Sequence, residues 1–491
     1  MMWPAPIAPR RRRRTLALLL AATACALLLT SQPVAASMAR CQGFSERGLH
    51  ESAIRFCTSV LRDASAPARA AALFFRANSR FSTGDIDGAL ADVNASLAGG
   101  SESPRALALR GAIRLAAGDA RTAIADLDRA VALGLDDTRV LRQRADAWLA
   151  LGEPASAIAD LEQIVARTPG DAVALTQLAL ARLAEGSTDA AEAAADRAVA
   201  ANPAYAPAYG VRAAIAAARG NIEAALADYT SARGAAPNDP GYRLGRASLL
   251  FQAGSPRPAL EEVDRALEIE PGLVPALELR ADIRQQLGDL PGALADLEAA
   301  RSGGAATAVR RARLALQLGD AERAEGAYSE ALAEGSRHAQ LYFERGQARA
   351  LLDRHDDAIA DFDAALAISP DLATSGIVMM RGRARFATGD LEGAAADFAF
   401  EAGRAPDVAS PLIWQVRTLA DLGDNEAAEA AARKLLALEP DTARANAVLG
   451  DVLLRRGDIA GGRAAHQAAL AIDPGYEPSL RRLDELSQAA N

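Results

Sequence analysis

Small and apolar positions recur along this chain on a fixed register, and glycine punctuates them. A glycine followed by a turn or helix-capping residue stands at Gly84, Gly118, Gly152, Gly186, Gly220, Gly254 and Gly288, always 34 residues apart. The period shortens to 31 at Gly319, returns to 34 at Asp353, where aspartate replaces the glycine, lengthens to 36 at Gly389, and holds 34 at Gly423 and Gly457. Gly48, 36 residues before Gly84, opens a degenerate first repeat. Five residues after these points the chain is small, from Ala53, Ala89 and Ala123 through to Ala428 and Gly462. Seven before, it is again small at Ala77, Gly111, Ala145, Ala179, Gly346, Gly382 and Gly450. Proline follows seventeen residues after most turns, as at Pro169, Pro203, Pro237, Pro271, Pro370, Pro406, Pro440 and Pro474. Small residues let two helices approach closely, glycine turns the chain between them, and proline ends the second helix. Each repeat is therefore predicted to be helix A, turn, helix B, turn.

This period and its glycine, alanine and proline spacing resemble the tetratricopeptide repeat family over roughly residues 38–476. The resemblance implies an all-α fold: a right-handed superhelical solenoid of about 13 helix pairs. It implies a scaffold that binds other proteins and says little about any one activity, because such scaffolds serve unrelated processes. Local departures exist: leucine mostly replaces the aromatic near the start of helix A, and Ser187 and Asn221 replace the common acid after the turn. The predicted organisation is a leader over 1–36, the solenoid over 37–476, and a capping helix over 477–491. In that last helix Leu480, Leu483 and Leu486 are expected inside and Arg481, Arg482, Asp484 and Glu485 outside.

Composition agrees with an all-helical array. Half of the 491 residues are apolar but only 4% are aromatic, and alanine and leucine, the best apolar helix formers, carry most of the apolar share. A single compact core is not expected at this length, whereas a repeat array escapes that limit. The N-terminus reads as an export signal: five arginines, Arg10 to Arg14, precede the small or apolar run Leu16 to Leu29. That run has fourteen residues, short of the roughly 20 needed to span a bilayer. Cleavage is expected after Ala36, with Ala39 second. The general secretory route is favoured over a twin-arginine signal at Arg13 and Arg14, and over lipid anchoring at Cys25. The mature protein is then periplasmic or secreted, with no stable membrane span.

Removing the five arginines takes the formal charge from −9 to −14. So acidic a protein is a poor partner for nucleic acid.

Comparison of the repeats with one another exposes a covarying pair. Arginine eight residues before the turn accompanies an acid eight after it: Arg76/Asp92, Arg110/Asp126, Arg144/Asp160, Arg212/Asp228, Arg246/Glu262, Arg280/Asp296, Arg345/Asp361 and Arg381/Asp397. Where the arginine is missing the acid is missing too: Leu178/Ala194, Gln415/Ala431 and Leu449/Ala465. Arg311/Ala327 breaks the rule. An ion pair joining helix A to helix B demands such joint loss, since one unpaired half-buried charge costs more than the pair gains. Structural ion pairs between half-buried partners are therefore expected.

Cys41 and Cys57 are also sixteen apart and fall at facing positions of the first repeat. In an exported chain they are expected to form a disulfide clamping that repeat. A metal site that adds His50 is the alternative, but no fourth ligand is evident.

Catalytic signals are absent from the sequence. His50, His338, His355 and His466 lie far apart, and there is neither a phosphate-binding glycine loop with lysine nor a nucleophile elbow. No enzyme activity and no cofactor are expected, and the partners are expected to be proteins or peptides. The expected role is a scaffold or adaptor in the bacterial envelope, with an accessory subunit of polysaccharide synthesis or export as the alternative.

In the family resembled, ligands contact the positions ten and six residues before the turn. Four successive repeats supply Val309/Arg313, Phe343/Gln347, Met379/Arg383 and Ile413/Arg417 there, each pair on one helix face. Stacked, they would set apolar groups beside guanidinium groups, a surface suited to an amphipathic or acidic peptide. Asn78 alone does not make the carboxylate clamp of chaperone-binding relatives, so no chaperone tail is expected.

Overall fold

The computed structural model describes residues 34–488 apart from 64, 100, 101, 301 and 302. The predicted leader up to residue 33, with Cys25 and the arginine run, lies outside the described residues. The described chain holds twenty-seven α-helices and no strand: thirteen antiparallel pairs, from Val34–Glu46 with His50–Asp63 to Ala443–Arg455 with Ile459–Ile472, and a last helix Glu477–Gln488. Two compact units divide it at Tyr242/Arg243. The first holds pairs 1 to 6, and the second pairs 7 to 13 with the last helix, the boundary falling in the first turn of Pro240–Gln252.

The turn chemistry explains why the pairs form. The turn glycines sit in the left-handed region, with φ of +83° at Gly84 and +88° at Gly423, where a side chain is strained. Asp353 takes the same conformation, the one non-glycine residue with positive φ among the described residues. The acid after the glycine caps helix B: Asp85, Asp119, Asp289, Asp390, Asp424 and Asp458 each accept a hydrogen bond from the backbone N–H three residues on. Asn221 caps in the same way, whereas the Ser187 hydroxyl turns to Glu185 instead.

Close approach explains the small residue seven before the turn. A Cβ on Gly346 would stand 2.7 Å from Phe362, and one on Gly382 would stand 2.9 Å from Phe398. Small on helix A faces large on helix B, sixteen residues later, and Cys41 and Cys57 occupy this same couple in pair 1.

The covarying arginines and acids are ion pairs at 2.5–2.7 Å in all eight repeats: Arg76–Asp92, Arg110–Asp126, Arg144–Asp160, Arg212–Asp228, Arg246–Glu262, Arg280–Asp296, Arg345–Asp361 and Arg381–Asp397. The expectation of half-buried partners needs correcting for the acids. Asp92, Asp126, Asp160, Asp228, Glu262, Asp296, Asp361 and Asp397 are all buried, from 3% exposure at Asp160 to 8% at Asp228 and Glu262, while their eight arginines stay half-buried. The asymmetry follows from side-chain length. A short carboxylate on the inner face of helix B cannot reach solvent, whereas the long arginine stem carries its head to the edge of the helix pair.

Most of these arginines also reach back to helix B of the preceding pair: Arg144 to Asp128 at 2.7 Å, Arg212 to Asp196 at 2.9 Å, Arg280 to Asp264 at 2.8 Å and Arg381 to Asp363 at 2.6 Å. Arg76 and Arg110 find neutral partners there, Thr58 at 3.0 Å and Asn94 at 3.1 Å. One guanidinium thus ties three helices, using the fork of donors that arginine alone offers. A second arginine often shares the acid. Arg80 joins Asp92, Arg114 joins Asp126, Arg284 joins Asp296 and Arg349 joins Asp361, each four residues after the first, while Glu262 draws Arg243 from three residues before. Hydrogen bonding to Asp160 and Asp361 holds Arg144 and Arg345 protonated beyond the usual arginine range.

The exceptions resolve physically. Arg311, without an acid at 327, bonds Glu330, three residues further along helix B. Leu178 and Ala194 join a continuous apolar cluster of the first unit, and Leu449, with Ala465 packed against it, does so in the second, as does Ala431 of the Gln415/Ala431 couple. In pairs 5 and 13, where leucine and alanine stand in the two places, apolar packing replaces the ion pair.

The last helix packs on Ile459–Ile472, but its inner face differs from the expected one. Leu480 is 46% exposed, and Ser479 is fully buried in its place. His466, which occupies the large-residue position of pair 13, is also fully buried, with its Nδ1 3.1 Å from Ser479 Oγ. Arg482 reaches Asp451 at 3.0 Å. The inward stripe is thus Ser479, Leu483 and Leu486: the last two leucines face inward as expected, and only Leu480 gives its place to Ser479, which offers the buried imidazole a polar partner.

Removing one acid should cost more than removing a whole pair. Asp296→Ala, measured by urea denaturation, is expected to destabilise the second unit by about 3 kcal/mol, because Arg280 and Arg284 lose their shared buried acid and Arg280 keeps only Asp264. Adding Arg280→Leu, which copies the Leu178/Ala194 repeat, should recover part of that loss; strictly additive losses would contradict the coupling. Asp353→Gly should stabilise by roughly 0.5–1 kcal/mol by relieving the left-handed backbone, read as a rise in Tm.

Candidate binding faces

In the first unit the A helices of pairs 2 to 4 and the end of pair 1 enclose an open cleft of about 730 Å³. Phe74, Phe75 and Phe81 from Ala66–Ser82 and Leu109 from Pro104–Ala116 give it apolar walls. Ala108 and Ala112 leave the room between them, and Asn78, Gln143, Arg105, Arg139, Glu46 and Asp137 lie among its polar lining. The Arg139 guanidinium holds the Asp137 carboxyl below its ordinary range through a hydrogen bond. Deeper in pair 4, burial pushes the Asp146 carboxyl up, against the opposing pull of Arg142 and a hydrogen bond from Gln177 at 2.7 Å.

Sequence reasoning missed this cleft. Phe74 and Asn78 stand ten and six residues before Gly84, in the columns read along the chain, and Ala108 and Ala112 fill those columns in the next repeat. Small residues there looked featureless, yet smallness is what opens the space.

The ion-pair acids contribute nothing to a binding face. Asp92, Asp126, Asp228 and Glu262, like the other four, are buried and bonded to their arginines, so they hold helices together and offer no free carboxylate to a ligand.

One wall of the cleft depends on the first pair. Ser45, at the end of Val34–Glu46, donates to the Phe75 carbonyl at 3.3 Å and accepts from Asn78 Nδ2 at 3.3 Å. Asn78 is thus partly engaged within the fold. The helix carrying Ser45 is bonded to its partner through Cys41–Cys57, with an S–S distance of 2.05 Å and both cysteines fully buried. With the two sulfurs joined to one another, the metal alternative loses its thiolates. No cluster of potential metal ligands occurs among the described residues.

In the second unit the four expected groove pairs are not equivalent. Phe343 is buried, at 8% exposure, and packs on Phe362 with ring centroids 6.2 Å apart, so it belongs to the core rather than to a binding surface. Arg313 is taken by Glu344 at 3.0 Å beside Tyr328, whose hydroxyl burial holds protonated well above its ordinary range. Gln347 donates to the Met380 sulfur at 3.4 Å, and Val309 is partly buried against the pair 9 cluster. The expected four-repeat row therefore contracts to Met379/Arg383 on Ile377–Thr388 and Ile413/Arg417 on Ala409–Leu422, where both arginines are exposed. Packing, which sequence columns do not carry, decides which members stay free.

A run of antiparallel helix pairs of this kind is the build of a repeat scaffold. Four stretches, 109–172, 176–240, 309–373 and 415–477, match the tetratricopeptide repeat family and together cover more than half of the chain. The chain belongs to the tetratricopeptide repeat family.

Similar solved structures include a tetratricopeptide repeat protein from Parabacteroides merdae, 20% identical over 50% of this chain and 98% of that one, with a TM-score of 0.34. A thermophilic repeat protein of Thermus thermophilus is 26% identical over 38% of this chain and 99% of that one, with a TM-score of 0.33. The Cut9–Hcn1 assembly of the APC/C matches 93% of this chain and 97% of its own at 14% identity and a TM-score of 0.37. These likenesses carry no functional argument. No curated protein matches the chain by sequence.

Opening the disulfide should loosen the cleft as well as the first pair. Cys41→Ser with Cys57→Ser is expected to lower the stability of pair 1 by about 3 kcal/mol. Backbone amides around Ser45 should exchange faster in consequence. Two reactive thiols in the purified, unreduced protein would contradict this account.

Proposed function

We propose that this chain is a non-catalytic protein–protein interaction scaffold of the bacterial cell envelope, holding segments of partner proteins against the A-helix faces of its repeats. The observation that carries the reading is the open aromatic cleft of the first unit: large enough for several side chains, apolar at its walls and polar at its rim, as small binding sites are. Membership of a family that generally serves as non-catalytic scaffolding supports the same reading. Export is supported by the arginine-rich start with the Leu16 to Leu29 run, and by a disulfide of the kind that persists in oxidising compartments. No helix among the described residues is long and apolar enough to cross a membrane. The last helix acts as the polar end of the array, shielding pair 13.

An accessory subunit of polysaccharide synthesis or export is the second reading. The phenylalanine faces with Asn78 and Gln143 beside them favour it, since sugar rings bind through aromatic contact and hydrogen bonds to amides.

Expression of the full chain should place it in the envelope or medium with an N-terminus at Ser37. Partner proteins captured by the mature chain should bind roughly tenfold more weakly to Phe74→Ala with Phe81→Ala, the loss expected for buried aromatic anchors. Retention in the cytoplasm would overturn the envelope assignment. Capture of glycan-bearing material, with no protein sensitive to the two substitutions, would favour the second reading.

A further inference from the structure

Most of the arginines on the A helices of pairs 11 and 12 and their neighbours meet an acid. The chain carries 63 acidic residues against 54 basic ones, and in pair 11 both Arg381 and Arg385 reach Asp397, at 2.6 and 3.0 Å. Arg383, between them in sequence, points elsewhere. So does Arg417, 34 residues later, at the same position of pair 12. Among the described residues no carboxylate stands within 4.0 Å of either guanidinium. The nearby acids are engaged, Asp421 by Arg455 at 3.1 Å and Asp451 by Arg482 at 3.0 Å.

Both groups lie on aromatic rings instead. The Arg383 guanidinium carbon is 5.2 Å from the Trp414 ring centre, and that of Arg417 is 5.5 Å from the same ring and 4.9 Å from Phe386. Trp414 is itself fixed: it stacks on Phe398 at 5.7 Å and meets Phe386 edge-on at 5.6 Å. A ring beneath a guanidinium holds its plane but uses none of its N–H donors, so the fork remains open to a ligand. Two adjacent cations held in place without counter-charge, on an acidic protein, form a focused positive spot.

We propose that Arg383 and Arg417 on the Trp414/Phe386 platform form an anion pincer that captures two carboxylates of an acidic polypeptide segment. The inference rests on the scaffold reading above and names the chemistry of its partner. A polypeptide is indicated by the surroundings as well as by charge: Met380, 36% exposed, and the partly buried Met379 and Ile413 lie on the same two helices and offer an apolar strip. A segment placing acids on the arginines and an aliphatic side chain on that strip satisfies both. A bare oxyanion uses only the first. Each arginine can take one carboxylate through paired N–H bonds, giving the segment its register.

The test uses the mature protein carrying Trp148→Phe, so that Trp414 reports binding, and a fluorescein-labelled dodecapeptide of alternating leucine and glutamate. The expected result is saturable binding that weakens with salt and is at least tenfold weaker for the glutamine analogue. Arg383→Glu with Arg417→Glu should weaken the glutamate peptide at least tenfold, whereas Arg257→Glu with Arg337→Glu, the same charge change elsewhere, should not. Arg383→Lys with Arg417→Lys keeps the charge, loses the fork and should fall between, which keeps the test valid if the glutamate variant unfolds. Equal loss in the Arg257/Arg337 control, or equal displacement by inorganic sulfate at matched ionic strength, would overturn the pincer. Binding of both peptides unchanged by the reversal would also overturn it, while leaving a groove that binds apolar segments intact.

Discussion

The arginine eight residues before each turn is the interaction on which the rest depends. Its guanidinium bonds a buried carboxylate on its own helix B and, in most repeats, a polar group on helix B of the pair before. Intra-pair and inter-pair geometry are thereby fixed by one side chain. Burying charge is expensive, and here the cost is offset by near-complete pairing: two arginines often share one acid, and the fork leaves few donors unmet. A repeat cannot keep half of this arrangement, so in pairs 5 and 13 both partners give way to leucine and alanine and the site joins the hydrophobic core. Pair 9 shows a third solution, in which Arg311 finds Glu330 further along the helix.

With the backbone arrangement set by ion pairs and small-to-large packing, the A-helix faces are free to vary. The first unit uses that freedom to open a cleft, by placing alanines between phenylalanines. In the second unit the same columns are mostly consumed, Phe343 by the core and Arg313 by Glu344. Within those columns only pairs 11 and 12 keep arginines without acids. The difference between a structural and an available arginine is therefore not exposure alone. Arg381 and Arg383 are two residues apart, yet one is saturated by Asp397 and Asp363 while the other rests on Trp414 with its donors open.

The first pair is stabilised differently. The position where later repeats place glycine against phenylalanine or leucine carries Cys41 against Cys57. A covalent bond adds to the packing there, where Val60 and Ala72 are buried with the two cysteines. In pair 13 His466 takes the large-residue position, and Ser479 of the last helix is its buried polar neighbour.

The sequence by itself determined the repeat, its period, the helix pairs and the ion pairs, because each follows from spacing within a single repeat: a left-handed turn needs glycine, a close crossing needs a small residue, and a charge taken from water needs its partner. Comparing repeats with one another supplied that information without any relative. What only the tertiary structure decided is how deep each group lies and which side chains remain available once neighbouring pairs stack. The full burial of acids such as Asp92 and Asp126, the burial of Phe343, the capture of Arg313, the outward turn of Leu480 and the space above Ala108 and Ala112 all depend on it. The physical reason is that stacking brings together residues about 30 positions apart through packing and aromatic contacts, and no column within one repeat encodes the shape of the space between two.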